Sequence, residues 1–346
     1  MKRALLSMAF VACTPTPRLP PQAPLAALAL VLDVEGSRLR ADGREVILAG
    51  VNLSGSEFRC IKGDGIFDGP DANALVEGLA SWNINAVRVP LNESCWLGDA
   101  RLSPDLSGEK YRSAIAARVH QFRARGWFVV LDLHWSSVGT ELANGIAAMP
   151  HAERAPQFWA SVAHTFRGDL GVLFDLYNEP HIANLAPDAA WRCWRDGCTL
   201  DSRPVAGMQA LANAVRGEGA RNIILVSGLN WSNDFSQWVA YRPKLDRVAI
   251  SFHTYNFNGC NTPACWKSAP SDVPIVMTEF GENDCGSSFA REAIGWAKDR
   301  GASFFAWTWN PWDCKLGPAL IEKWDGTPTP YGHGVRELLK KKPTGP

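Results

Sequence analysis

Short apolar runs rich in β-branched and aromatic residues recur along the chain, at residues 47–53, 86–89, 129–133, 172–177, 223–226, 248–252, 275–278 and 303–307. Between them, apolar positions three and four apart mark helices over 72–82, 111–125, 154–166, 205–216 and 289–300. The first pattern is that of strands buried on both faces, the second that of helices with one face on a core. Helices after the fifth and sixth runs are only weakly marked. Eight strand–helix alternations imply a parallel sheet, and eight is the number that closes. The expected fold is therefore α/β, a (β/α)8 TIM barrel. Ahead of it, residues 33–46 hold two short alternating runs around Asp42-Gly43, which predicts a small N-terminal β-hairpin flooring the barrel.

Barrel closure gives the ends of these runs a meaning, because side chains at the carboxyl ends of different strands converge on one face. The fourth run, Leu173 to Tyr177, breaks into Asn178-Glu179-Pro180, and the seventh ends on Glu279 before Gly281. Two glutamates thus stand at strand ends as a candidate acid–base pair. Asn52 and Glu57, Arg88, His134, His253, Tyr255 and the segment Trp307-Thr-Trp309-Asn310 fall at the other ends. One such residue has an ordinary structural explanation; together they predict a site.

Composition narrows what that site acts on. The 346 residues carry a formal net charge of zero with 20% charged residues, so the chain lacks the positive excess that binds nucleic acid or an anionic membrane. There are 15 Trp against 5 Tyr, and many of the Trp sit beside Asn, Gly, Pro or Cys, outside the periodic runs. Residues 1–13 read as an export signal, with Lys2-Arg3 ahead of a short apolar run and Phe10-Val-Ala-Cys13 resembling a lipoprotein cleavage box. Lipid anchoring at Cys13 and simple secretion are the two readings. Residues 14–30 are expected as a Pro-rich tether and 31–342 as a single catalytic domain. The apolar run over 25–34 either belongs to the signal or begins the first folded strand. A monomer is expected.

Nine cysteines suit an exported protein better than a cytosolic one. Setting Cys13 apart leaves an even number, which alone permits on the order of a hundred pairings. Cys60 and Cys95 follow the first two strands, Cys285 and Cys314 the last two, and the others are close neighbours within single loops. The expected disulfides are Cys60–Cys95, Cys193–Cys198, Cys260–Cys265 and Cys285–Cys314. A zinc site would call for Cys-x-x-Cys pairs, which do not occur.

No activated Ser or Cys and no glycine-rich phosphate loop stands out. Two carboxyls among aromatic and neutral hydrogen-bonding groups suit glycoside hydrolysis, in which one acid protonates the leaving oxygen of an oxocarbenium-like transition state. The set Gly50-Val-Asn52-Leu-Ser-Gly55-Ser-Glu57, Arg88-Val-Pro90, Leu131-Asp-Leu-His134-Trp135, Asn178-Glu179-Pro180, His253-Thr-Tyr255, Thr278-Glu279-Phe-Gly281 and Trp307-Thr-Trp309-Asn-Pro311 resembles glycoside hydrolase family 5, the cellulases and related enzymes. By that resemblance Arg88, His134, Asn178, Glu179, His253, Tyr255, Glu279 and Trp307 form the site, with Glu179 as acid/base and Glu279 as nucleophile of a retaining double displacement. Glu179 is expected to titrate high because of the charge of Glu279. Arg88 and Tyr255 are expected to keep Glu279 ionised. Asn178 is expected on a sugar 2-hydroxyl, His134 and His253 as donors to hydroxyls or carboxylates, and Trp307 against the sugar face.

The implied activity is an endo-β-1,4-glucanase working without metal, nucleotide or other cofactor. A mannanase or xylanase is the alternative within the family. A carbohydrate-binding barrel without turnover would have lost Glu179 or Glu279, and both are present. Trp96, Trp135, Trp231, Trp266 and Trp312 are candidates to lengthen a sugar cleft. The segment after the fourth strand, with Trp191 and Trp194, is a candidate wall or lid.

Overall fold

A computed structural model describes residues 30–340. The expected export signal over 1–13 lies outside the described residues, as does the 14–30 tether up to residue 29. The barrel strands are β1 (Ala49–Asn52), β2 (Ala86–Asn92), β3 (Phe128–Trp135), β4 (Val172–Asp175), β5 (Ile224–Ser227), β6 (Val248–Tyr255), β7 (Ile275–Gly281) and β8 (Ser303–Ala306). Every neighbouring pair is parallel, and β8 pairs with β1 to close the ring. Every residue of these strands is buried except Ala49 at the start of β1 and Trp135 at the end of β3, as expected of strands covered on both faces. Gly50 is required where the barrel is tightest, since a Cβ there would stand 2.5 Å from the Ala86 carbonyl and 2.7 Å from the Phe305 ring.

Helices Ala72–Ala80, Glu109–Ala124, Arg154–Phe166, Met208–Gly217, Ser288–Arg300 and Pro330–Lys340 wrap the ring. Asp71 starts the first of them by accepting from the Asn73 and Ala74 amides. The weak fifth and sixth helices are reduced to the short turns Leu229–Ser232, Trp238–Tyr241 and Pro263–Trp266. The helix expected from 205 begins later, because Arg203–Val205 pairs with Cys198–Leu200 in a small hairpin that no alternation marks.

The floor is a three-stranded antiparallel unit. Leu32–Glu35 pairs with Arg38–Ala41 across Gly36-Ser37, and Arg44–Glu45 returns across the expected Asp42-Gly43 turn. The apolar run over 25–34 therefore ends in the first folded strand. Leu32 and Leu39 are buried against Leu48, Phe128, Leu173, Leu225 and Phe305, so they plug the amino-terminal end of the barrel. Leu39→Ala should cost about 2–4 kcal/mol by leaving a cavity in that plug. It would lower Tm while leaving the turnover rate at ambient temperature unchanged, which thermal unfolding beside an activity assay would check.

All four expected disulfides form. Cys60–Cys95 and Cys285–Cys314 each join loops leaving adjacent strands at the carboxyl end of the barrel, so they tie together the walls around its mouth. Among the described residues, no helix is long and apolar enough to cross a membrane.

Candidate active site

The residues expected at the strand ends meet at the barrel mouth. β2 places Arg88, fully buried, at the centre. Its Nη1 donates to Glu279 Oε1 at 2.6 Å and to Asn52 Oδ1 at 3.0 Å, and its Nη2 donates to Asn178 Oδ1 at 2.8 Å. Beneath these lie two carboxylates, Asp132 on β3 and Asp175 on β4, at 3.0 and 3.1 Å from Nη2. Burial works against the Arg88 charge, yet Asp132, Glu279 and Asp175 outweigh it and hold the guanidinium above its usual range. A planar fork touching so many acceptors sets several side chains at once.

The second oxygen of Glu279 accepts from the Tyr255 hydroxyl at 2.5 Å. The register between β6 and β7 shifts after Phe252, which brings His253 directly opposite Glu279. An irregularity of this kind re-aims a side chain at the rim of a barrel. His253 Nδ1 lies 2.9 Å from Glu179 Oε1 and 3.5 Å from Glu279 Oε2. Burial drives the His253 imidazole down to about 3, so it is neutral; its Nε2 is buried with no partner among the described residues. The Nδ1–H tautomer satisfies this arrangement, since it directs the single proton to Glu179. Oxygens of Glu179 and Glu279 and a nitrogen of His253 lie within 4.8 Å of one another.

Glu179 itself is 14% exposed. Its carboxyl is pushed up to about 7, and the cause differs from that expected: burial dominates, while the charges of His134, Arg88 and His181 pull the other way. The strand end that presents the acid to the mouth also removes it from water. Asn178, next to it, keeps Nδ2 buried without a partner among the described residues, so its amide N–H groups remain for a ligand.

His134 Nδ1 binds Asp132 Oδ2 at 2.6 Å, and its ring lies parallel to Trp307 with centroids 5.5 Å apart. Glu57 is buried in the loop after β1, where Ser54 and the Gly55 amide donate to it. Burial raises its carboxyl, so it reads as a brace for that loop.

Not every expected aromatic lines the cleft. Trp96 and Trp266 are fully buried, the former against Tyr111 and Phe158, the latter against Phe289 and Trp296; both correct the expectation of exposed platforms. Trp191 and Trp194 are likewise core residues, packed edge to face beneath the segment after β4. Trp135 is half-buried, whereas Trp231 and Trp312 are 43% and 39% exposed. Trp231 lies flat on His181 with centroids 3.6 Å apart, beside the Glu179 strand end. Val138, Leu185, Trp231, Phe257, Trp312 and Leu316, all exposed, follow barrel strands and so edge this same mouth. Asp132 and Asp175 were not singled out by sequence; the only signal was a charged residue inside each of two apolar strands.

The cellulase (glycosyl hydrolase family 5) model matches residues 39–313. A manganese-dependent endoglucanase of Phanerodontia chrysosporium is 26% identical over 200 residues, 54% of this chain and 44% of that protein. A β-mannanase/endoglucanase of Caldicellulosiruptor saccharolyticus is 24% identical over 75% of this chain and 18% of its own. The chain thus spans less than half the length of either relative. Among solved structures, a β-glucanase of Saccharophagus degradans, also solved with cellotetraose, matches with a TM-score of 0.69 at 19% identity, covering 93% of this chain and 97% of that one. The Pyrococcus horikoshii endocellulase matches at 0.66 and 21%, over 90% of this chain and 99% of that one. With its barrel, its strand-end residues and this match over most of its length, the chain belongs to glycosyl hydrolase family 5, the cellulase family.

Proposed function

We propose that the protein is a retaining endo-β-1,4-glycanase, with β-1,4-glucan as its principal substrate. The observation that carries this reading is the carboxyl pair: oxygens of Glu179 and Glu279 lie within 4.8 Å. Retaining glycosidases hold their two carboxyls about 5–5.5 Å apart, whereas inverting ones leave about 6.5–9.5 Å for a water molecule. Glu279, with Arg88 and Tyr255 fixing its oxygens, attacks the anomeric carbon. As the glycosidic C–O bond breaks, Glu179 gives its proton to the departing oxygen. In the second half Glu179 takes a proton from water, the water oxygen bonds to the anomeric carbon, and the Glu279 ester bond breaks to restore the carboxylate. The free Nδ2 of Asn178 is the donor for the sugar 2-hydroxyl, and Trp307 supplies a face for the ring at the cleavage point.

The exposed aromatic and aliphatic side chains around the mouth favour a long chain over a terminal sugar, which supports internal cleavage. The mannanase name of one relative keeps mannan as the second substrate. Four disulfides favour an oxidising compartment outside the cytosol.

Reducing-sugar release from soluble cellulose, mannan and xylan tests the substrate, and proton NMR of the first product formed tests the mechanism. Cellulose should be cleaved fastest, with the β configuration kept. An α-configured first product would overturn the retaining reading, and faster release from mannan or xylan would overturn the assignment to glucan.

A further inference from the structure

Asp132 is fully buried, and none of the roles above uses it. Its Oδ2 alone meets two functional groups, His134 Nδ1 at 2.6 Å and Arg88 Nη2 at 3.0 Å. A continuous chain of polar contacts follows: His134, Asp132, Arg88, Glu279 and Tyr255. Asp175 provides an internal comparison. It is the register partner of Asp132 on the adjacent strand, equally buried, and 3.1 Å from the same Arg88 nitrogen. It also accepts from Arg88 Nε at 3.1 Å and from the Ser251 hydroxyl at 3.3 Å, and it has no bond to His134. The two carboxylates therefore share the arginine but not the histidine.

Building on the glycanase reading, we propose that Asp132 is a positioning residue of the reaction: it holds His134 parallel to Trp307 as a charged N–H donor toward the substrate and links it to the arginine that orients the nucleophile. With Nδ1 committed to Asp132, Nε2 is the nitrogen left for a sugar hydroxyl. An imidazolium donates there, whereas a neutral ring protonated on Nδ1 could only accept. Burial alone would discharge the ring; the anion at Asp132, by charge and hydrogen bond, reverses that, with Glu57 and Glu279 adding to it. Glu179 and His253, the latter neutral, also interact with His134, and the Arg88 guanidinium shares Asp132 Oδ2 with it.

The test compares Asp132→Asn, which keeps the shape and removes the charge, with Asp175→Asn. The His134 ring is followed by nitrogen–proton NMR across pH, with its signal assigned through a His134→Gln variant. In the wild type and Asp175→Asn the ring should stay doubly protonated above the range of free histidine. In Asp132→Asn its midpoint should fall, and kcat/KM on a soluble gluco-oligosaccharide should drop about 100-fold, as misplacement of positioned groups does. Identical titration in wild type and Asp132→Asn, or an equal shift in Asp175→Asn, would overturn the assignment. Should Asp132→Asn not fold, the wild-type curve decides, and a midpoint at or below that of free histidine refutes it. The titration needs no substrate, so failure of the glycanase reading would show separately, as a wild type without turnover.

Discussion

Glu279→Ala is expected to lower turnover of soluble cellulose by about 10⁴-fold or more, because it removes the group proposed to form the covalent intermediate. The variant should nonetheless fold. Arg88, which loses a partner at 2.6 Å, keeps Asp132, Asp175, Asn52 and Asn178 around it, so no bare buried charge results. On the proposed mechanism the removed carboxylate leaves a space facing the anomeric carbon, on the side opposite the leaving group. A small anion such as azide or formate fits there. With an activated aryl cellobioside it should restore part of the rate, and with azide the product should be the α-glycosyl azide, because one displacement inverts where two retain. Rescue yielding a β-glycosyl azide, or wild-type rates without any added anion, would remove Glu279 from the nucleophile's role. Addition of azide to Glu179→Ala should instead give the β product, since the added anion then acts in the second displacement. The stereochemistry thus assigns the two glutamates independently of how much activity either variant loses.

Strand ends were the most legible part of this molecule. A barrel strand is apolar along its length for packing reasons, so an Asn-Glu-Pro or a terminal Glu279 at its carboxyl end breaks the pattern where only a site would need it. The disulfides were legible for a related reason, as cysteines following adjacent strands must lie near one another once the sheet closes. Tryptophan was not legible. Trp96 and Trp266 occupy strand-to-helix segments, as Trp231 does, yet they are buried because the short helices Glu93–Leu97 and Pro263–Trp266 carry them down onto the barrel's outer wall. Trp231 instead follows Asn230 in a left-handed backbone stretch, φ 52° and 60°, that turns its ring outward onto His181. The turn that decides the outcome for Trp231 depends on tertiary contacts such as its amide to the Pro180 carbonyl, 3.0 Å. Asp132 and Asp175 escaped notice because a lone acid in an apolar run has no readable partner until β2 brings Arg88 across to them.

The second large effect concerns Glu179, and its sign follows from the titration. The carboxyl is raised to about 7 and, as the proposed acid, must be protonated to expel the sugar, so kcat/KM on cellulose should fall tenfold per unit above that pH. Glu179→Gln should cost about 10³-fold on cellulose, within the usual range for a lost general acid. The loss should be far smaller for formation of the glycosyl-enzyme from a dinitrophenyl cellobioside, whose leaving group departs without a proton. That intermediate would then accumulate, visible as a burst of dinitrophenol, because no base remains to activate water. The origin of the high value makes a further distinction. Were the charge of Glu279 responsible, Glu279→Gln would drop the Glu179 titration back to an ordinary carboxyl. With burial as the leading cause, carbon-13 NMR of Glu179 in Glu279→Gln should still show a midpoint well above that of an exposed glutamate, and a bound oligosaccharide, by excluding more water, should raise it further. A midpoint near the value of free glutamate in that variant would return control of the acid to its partner carboxylate.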